Sequence, residues 1–184
     1  MLADLAADAR PVRRASELAE VDGLVLPGGE SSVIDKLSRA FDLRDPIRAA
    51  IADGMPVLGT CAGLILLADR LDGAIEGQLT FGGLDVRVRR NAFGSQTQSF
   101  ETDLDVPALG DPPVHAVFIR APVVTEVGPD ATPLASLPDG RVVAVEQNNL
   151  LGLSFHPEST GETRFHARFL HRVRNRAGVS APSF

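Results

Sequence analysis

Two kinds of hydrophobic pattern alternate along this chain. The unbroken apolar runs in Gly23-Leu-Val-Leu-Pro27 and at 56–58 read as short buried strands. Between them, 33–39 and 43–53 repeat their apolar residues at helical spacing, and Gly54 stands where a helix C-terminus is usually capped. A further helix is predicted over 62–71. Nearer the N-terminus, 2–9 reads as the end of a helix, 12–14 as a short strand and 16–20 as a turn or helical piece. The period then changes. Residues 84–89 alternate apolar and charged positions, as a half-exposed strand does, and 116–120, 142–146 and 151–155 follow as strands. A closing amphipathic helix over 163–174 carries Phe165, Phe169 and Val173 on one stripe, which core packing explains. Residues 175–184 are expected to be a flexible tail. Strands alternating with helices predict an α/β fold with a mainly parallel sheet, extended by antiparallel or mixed strands.

Bulk properties narrow this picture. At 184 residues, with no internal repeat or low-complexity linker, one domain with a sizeable core is expected. The net charge of −6 lacks the basic excess of a nucleic-acid binder. Tyr and Trp are absent, so base stacking would rest on Phe alone. No apolar run is long enough to span a membrane, and no basic-then-apolar leader opens the chain, so a cytoplasmic protein is expected. A single cysteine excludes an internal disulfide and a cysteine zinc cluster; no metal and no cofactor is predicted.

That cysteine, Cys61, lies in Gly59-Thr-Cys-Ala-Gly63, between a predicted strand and a predicted helix. This is the cysteine form of a nucleophile elbow. A sharp strand-to-helix turn leaves no room for β-carbons beside the nucleophile, which glycine satisfies. The turn also sets the sulfur at a helix N-terminus, where free N–H groups and the dipole favour a thiolate. A lone cysteine is usually a small buried hydrophobe; the flanking glycines favour the nucleophile.

A cysteine nucleophile needs a base, and the base an orienting group. Of the histidines, His166 and His171 sit among arginines and read as surface residues, and His115 has no acid near it in sequence. His156 precedes Pro157, which forces it into an extended conformation. Residues two apart then share a side, so Glu158 can hold the His156 ring. Alone, His-Pro-Glu would read as an ordinary loop; with the elbow upstream it completes Cys61, His156 and Glu158 as nucleophile, acid/base and orienter. A second glycine site, Pro27-Gly-Gly-Glu-Ser31, follows a strand and precedes a helix without the lysine of a phosphate loop. It reads as an oxyanion and substrate loop, in which the N–H of Gly29 joins that of Ala62 in facing a developing negative charge.

Together these segments resemble class I, triad-type glutamine amidotransferases. The closer resemblance is to the glutaminase-subunit family of pyridoxal 5′-phosphate synthase. It is carried by Leu26-Pro-Gly-Gly-Glu-Ser-Ser32, Gly59-Thr-Cys-Ala-Gly-Leu-Ile65, Arg90-Asn-Ala-Phe-Gly94, Phe118-Ile-Arg-Ala-Pro122 and Ser154-Phe-His-Pro-Glu158. The resemblance implies a three-layer, flavodoxin-like α/β fold with a mixed central sheet. It implies that Cys61 forms a glutamyl thioester, that His156 passes the proton to leaving ammonia, and that Glu158 orients His156. Gly28, Gly29, Glu30, Arg90, Ile119 and Arg120 are implied to contact L-glutamine, with Glu30 suited to its α-ammonium. The ammonia is implied to serve a TIM-barrel synthase subunit in a large hetero-oligomer. Ammonia released to bulk water would be protonated and lose nucleophilicity, so a docked partner with a protected path is expected.

One departure stands out. The family opens with a buried strand and a Leu-Gln-Gly type segment, whereas Met1-Leu-Ala-Asp-Leu-Ala reads as lying inside the helix that follows them. An N-terminally shortened domain is expected, with the apolar side of residues 23–26 left exposed. Two other functions stay open: a non-catalytic assembly subunit, and another cysteine hydrolase acting on γ-glutamyl substrates. The Phe118-Ile-Arg-Ala-Pro122 segment favours the amidotransferase over the latter.

Overall fold

The apolar runs become adjacent strands at one end of a large sheet. In chain order the elements are α1 (Ala15–Leu18), β1 (Leu24–Leu26), α2 (Ser31–Ala40), α3 (Arg44–Ala52), β2 (Val57–Thr60), α4 (Ala62–Leu67), β3 (Ala68–Asp72), β4 (Leu84–Arg89), β5 (Ser99–Leu104), β6 (Val114–Ile119), β7 (Val123–Val127), β8 (Thr132–Ser136), β9 (Val142–Gln147), β10 (Leu150–Leu153) and α5 (Arg164–Arg176). They come from a computed structural model that describes residues 1–90 and 99–178. The main sheet runs β1-β2-β10-β9-β7-β4-β3, with β8 beside β9, and β5–β6 form a separate ribbon. β1, β2 and β10 are mutually parallel, whereas β9, β7 and β4 join antiparallel, so the sheet is mixed as expected.

Strand alternation sends the core to both faces. Val57, Val145 and Leu150 point to the face covered by Leu64, Ile65 and Ile47 of α4 and α3. Leu58, Ala144 and Leu151 point to the other, where Phe165 and Phe169 of α5 meet Phe118 of the β5–β6 ribbon. β2 and β10 are buried along their whole length, which is why their sequences read as unbroken apolar runs rather than alternating ones. On the α5 face the aromatic rings run in series. Phe100 stacks on Phe118 at 4.6 Å, Phe118 lies 5.6 Å from Phe155, and Phe155 meets Phe165 edge-on at 5.5 Å. The predicted Phe165–Phe169 stripe is therefore core, and the series anchors the residue just before His156.

Several predicted elements shift. The helix expected over 62–71 stops at Leu67, and the chain turns extended at Ala68 (φ −64°, ψ 138°) to form β3 parallel to β4. Residues 2–9 hold only a 3-10 turn, Ala3–Leu5, ended by Ala6 in the left-handed region, and 12–14 form no strand. β3, β5, β7 and β8 are strands beyond those the sequence pattern predicts. Of the tail expected over 175–184, Asn175 and Arg176 belong to α5, and the Arg176 guanidinium pairs with Asp53 at 2.8 Å; residues 179–184 lie outside those described. Beyond β1 the sheet gives way to a cleft of about 970 Å³ lined by Val12, Val25, Leu37, Phe41 and Val173. Leu24 and Leu26, expected to be exposed, are themselves buried at its inner wall.

Candidate active site

Because β1, β2 and β10 run the same way side by side, the loops at their carboxyl ends leave the sheet together. Leu26 pairs with Gly59 and Leu153 with Thr60, so the loops carrying Gly28, Cys61 and His156 start at one level. Open α/β sheets bind ligands at this edge. The elbow is fixed by the Cys61 N–H donating to the Leu153 carbonyl at 2.7 Å. Cys61 takes φ 50°, ψ −100°, a strained conformation for a residue with a side chain.

The flanking glycines are required by close approach rather than by left-handed backbone. A β-carbon on Gly63 would lie 2.1 Å from the Leu26 carbonyl oxygen, and one on Gly59 would lie 2.6 Å from the Gly63 carbonyl carbon. α4 thus lies directly on β1 and β2. Ala62, its first residue, has an N–H with no intrahelical partner, which suits an oxyanion.

His156 completes the pair. Its ring shares a hydrogen bond with the Cys61 side chain, and Nδ1 lies 2.7 Å from Oε1 of Glu158. The extended segment expected before Pro157 is only partly formed: His156 takes φ −110° and ψ 88°, short of a full extension. Pro157–Ser159 make a 3-10 turn, so that turn rather than strand alternation sets Glu158 beside the ring; the His156 N–H donates to the Val117 carbonyl on β6. The Cys61 contact first and Glu158 second push the imidazole up to about 10, against the opposing effect of burial. For Glu158, burial works against the charged form, but the hydrogen bonds from His156 and from its own backbone hold the carboxyl below its ordinary value.

Gly28 lies against this ring: a β-carbon there would come within 2.3 Å of His156 Cε1. The Gly28→Ala variant should therefore displace the imidazole. Moving a catalytic group by about 1 Å costs on the order of 100-fold in rate. A loss of that size in Cys61-dependent turnover is expected, and unchanged turnover in a kinetic assay would refute it.

Glu30 and Arg90 are brought together. Glu30 caps α2, accepting from the Ser32 N–H and hydroxyl at 3.4 and 3.1 Å, and the same oxygen accepts from Arg90 Nη2 at 2.5 Å. The Arg90 side chain is 10% exposed, so it is no ordinary surface charge. Its other terminal nitrogen donates to Gln78 Oε1 at 2.6 Å, and Gln78 Nε2 donates to the Ser31 hydroxyl at 3.0 Å. Nothing in the sequence pointed to Gln78. Gly29 lies next to Glu30 with φ 142°, a conformation side chains rarely adopt. Ile119 and Arg120 stand exposed at the end of β6, Arg120 in the left-handed region, with no ion pair to Arg120 among the described residues. The remainder of the motif that begins at Arg90, residues 91–94, lies outside the described residues.

Two other histidines differ from expectation. His166 is 6% exposed, not on the surface; its burial lowers its pKa against the attraction of Glu158. His115 does have acids beside it, across the ribbon rather than along the chain: Asp103 at 2.8 Å and Glu101 at 3.1 Å. Among the described residues no cluster of three or more His, Cys, Asp or Glu is placed to hold a metal, and no helix is long and apolar enough to cross a membrane.

Known proteins are similar to this chain. The chain is 66% identical over 173 residues to the pyridoxal 5′-phosphate synthase subunit PdxT of Clavibacter michiganensis subsp. michiganensis, which covers 94% of this chain and 83% of that one. It is 65% identical over 172 residues to the protein of the same name from Leifsonia xyli subsp. xyli, covering 94% and 87%. A crystal structure of a glutamine amidotransferase superposes with a TM-score of 0.86 at 43% identity, covering 94% of this chain and 89% of the other. The model of the SNO glutamine amidotransferase family matches residues 2–175. This chain is a member of the SNO glutamine amidotransferase family.

Proposed function

We propose that this chain is the glutaminase subunit of a pyridoxal 5′-phosphate synthase. It hydrolyses L-glutamine to L-glutamate and ammonia and hands the ammonia to a TIM-barrel synthase subunit within a large cytoplasmic hetero-oligomer. The observation that carries this reading is the contact of His156 with both Cys61 and Glu158 at the shared carboxyl edge of β1, β2 and β10. An assembled nucleophile, acid and orienter weighs against a non-catalytic assembly role, and the names of the relatives weigh against another cysteine hydrolase of related fold acting on γ-glutamyl substrates.

The chemistry follows from the geometry. An imidazolium facing the sulfur supplies the counter-charge that a thiolate nucleophile needs. The sulfur attacks the side-chain amide carbon of glutamine, and the oxygen that gains charge is met by the N–H groups of Ala62 and Gly29. His156 gives its proton to the departing nitrogen, the C–N bond breaks, and ammonia leaves a glutamyl thioester on Cys61. His156 then takes a proton from water, which attacks the thioester and releases glutamate and the cysteine. Glu158 holds the ring throughout. At the other end of the substrate, Glu30 takes the α-ammonium and Arg90 the α-carboxylate, for which a guanidinium fork is suited. Gly28 and Gly29 contact the substrate through backbone, and Ile119 and Arg120 border it from β6.

The test is ammonia release from L-glutamine by the chain mixed with a synthase partner, together with acid-quench mass spectrometry of Cys61. Partner-stimulated release and a glutamyl adduct on Cys61 are expected. No adduct and no release, with the partner shown to bind, would overturn the proposal.

A further inference from the structure

Glu30, Ser31, Gln78 and Arg90 form a closed circuit. Arg90 donates from one terminal nitrogen to Glu30 at 2.5 Å and from the other to Gln78 at 2.6 Å. Gln78 donates onward to Ser31, the residue next to Glu30 and itself 2% exposed. The amide has one possible orientation here. A guanidinium only donates, so the oxygen of Gln78 must face Arg90 and its NH2 must face the Ser31 hydroxyl. The loop that carries Gln78 is tied to α2 a second time, through the Leu79 N–H donating to the buried Asp35 carboxylate at 3.0 Å and Arg39 donating to the Gly77 carbonyl at 3.3 Å. Gln78 is thus held from behind by the fold and holds Arg90 in front.

We propose that Gln78 is a positioning residue for substrate recognition, dividing the Arg90 guanidinium between Glu30 and a neutral acceptor so that both charges stay available to the two α-groups of free glutamine. This rests on the reading of Glu30 and Arg90 as the α-ammonium and α-carboxylate contacts. The reason is electrostatic. A guanidinium free to turn would close fully onto Glu30 as a bidentate pair, and each partner would satisfy the charge meant for the substrate. A neutral amide removes one N–H from that competition without adding charge. Because Gln78 acts at the α-groups, it acts on binding and not on the attack at Cys61. It makes the site prefer a free amino acid over an amide that lacks α-charges.

The test is protection of Cys61 from iodoacetamide, measured on the full chain with its synthase partner present. The concentration of L-glutamine that halves alkylation reports binding without requiring turnover, and butyramide serves as an amide with no α-groups. Loss of a hydrogen bond to a charged group corresponds to roughly a tenfold weakening. The Gln78→Leu variant should therefore need roughly ten times more glutamine. Its alkylation rate without ligand and its protection by butyramide should stay unchanged. Gln78→Glu should weaken glutamine as well, because an added carboxylate competes for Arg90. Glutamine protection equal to wild type in Gln78→Leu would overturn the inference. So would an equal loss for butyramide or a changed unprotected rate, since those mark a structural role. Should Gln78→Leu fail to fold, Ser31→Ala, which frees the NH2 end, is expected to shift glutamine alone, and its failure to do so would equally overturn the proposal. Absence of glutamine protection in the wild-type complex would instead sink the glutaminase reading beneath it.

Discussion

Replacing Cys61 by alanine is expected to lower partner-stimulated ammonia release by at least about 1000-fold, because it removes the chain's one thiol, on which the acyl intermediate is proposed to form. The fold should survive, since alanine fills a position that is already buried and small and removes only the sulfur. The same variant has a second expected effect that reports on the site directly. The hydrogen bond to Cys61 is the foremost reason that His156 stands at about 10 rather than the ordinary 6.5, with Glu158 behind it. In Cys61→Ala the His156 ring, followed by NMR through a pH titration, should titrate well below 10 and still above 6.5. The sign of the linked stability is fixed by the raised value. The Cys61 contact adds stability fully below about pH 6.5, and this is lost as pH rises through about 10. The difference in unfolding free energy between wild type and variant should shrink across that window. A ring that still titrates near 10 in the variant would assign the shift to Glu158 and remove the ion-pair reading of the site.

How much of this was legible in the chain depended on whether each signal was local. The elbow, the His-Pro-Glu turn and the apolar strands beneath them are short-range patterns, and glycine and proline announce their backbone geometry directly. What failed was set by neighbours in space. β5 reads Ser-Phe-Glu-Thr-Asp-Leu, a polar stretch that becomes a strand because it pairs with β6. The same pairing puts Asp103 opposite His115, so a histidine with no acid nearby in sequence is clamped between two. Leu67 and Leu71 keep a helical spacing, yet β4 recruits the stretch after Leu67 as β3. The arginines around His166 read as a surface, but it adjoins Phe165 and precedes Phe169, and their stripe carries it into the interior. Gln78 gave no signal at all, because its role exists only once Arg90 and Ser31 are brought to it from either side.

Gly63→Ala should be the most destabilising single change at the site, and it opposes what local propensity forecasts. Gly63 lies inside α4 without a left-handed backbone, where alanine would ordinarily favour a helix by about 1 kcal/mol. Against that stands a β-carbon 2.1 Å from the Leu26 carbonyl oxygen and 2.9 Å from its carbon. Both are backbone atoms of a strand fixed by its pairing to β2, so no side chain can swing aside. Relief requires α4 to lift from β1, and overpacking of this kind costs about 3 kcal/mol or more. The clash exceeds the propensity gain, and a net loss of about 2 kcal/mol or more is expected in urea unfolding. Activity should fall further than stability, because lifting α4 carries the Ala62 N–H and the Cys61 sulfur away from the His156 ring. An alanine variant as stable as wild type would mean that α4 and β1 are not packed backbone to backbone, and the close-approach account of the Gly-x-Cys-x-Gly spacing would fall with it.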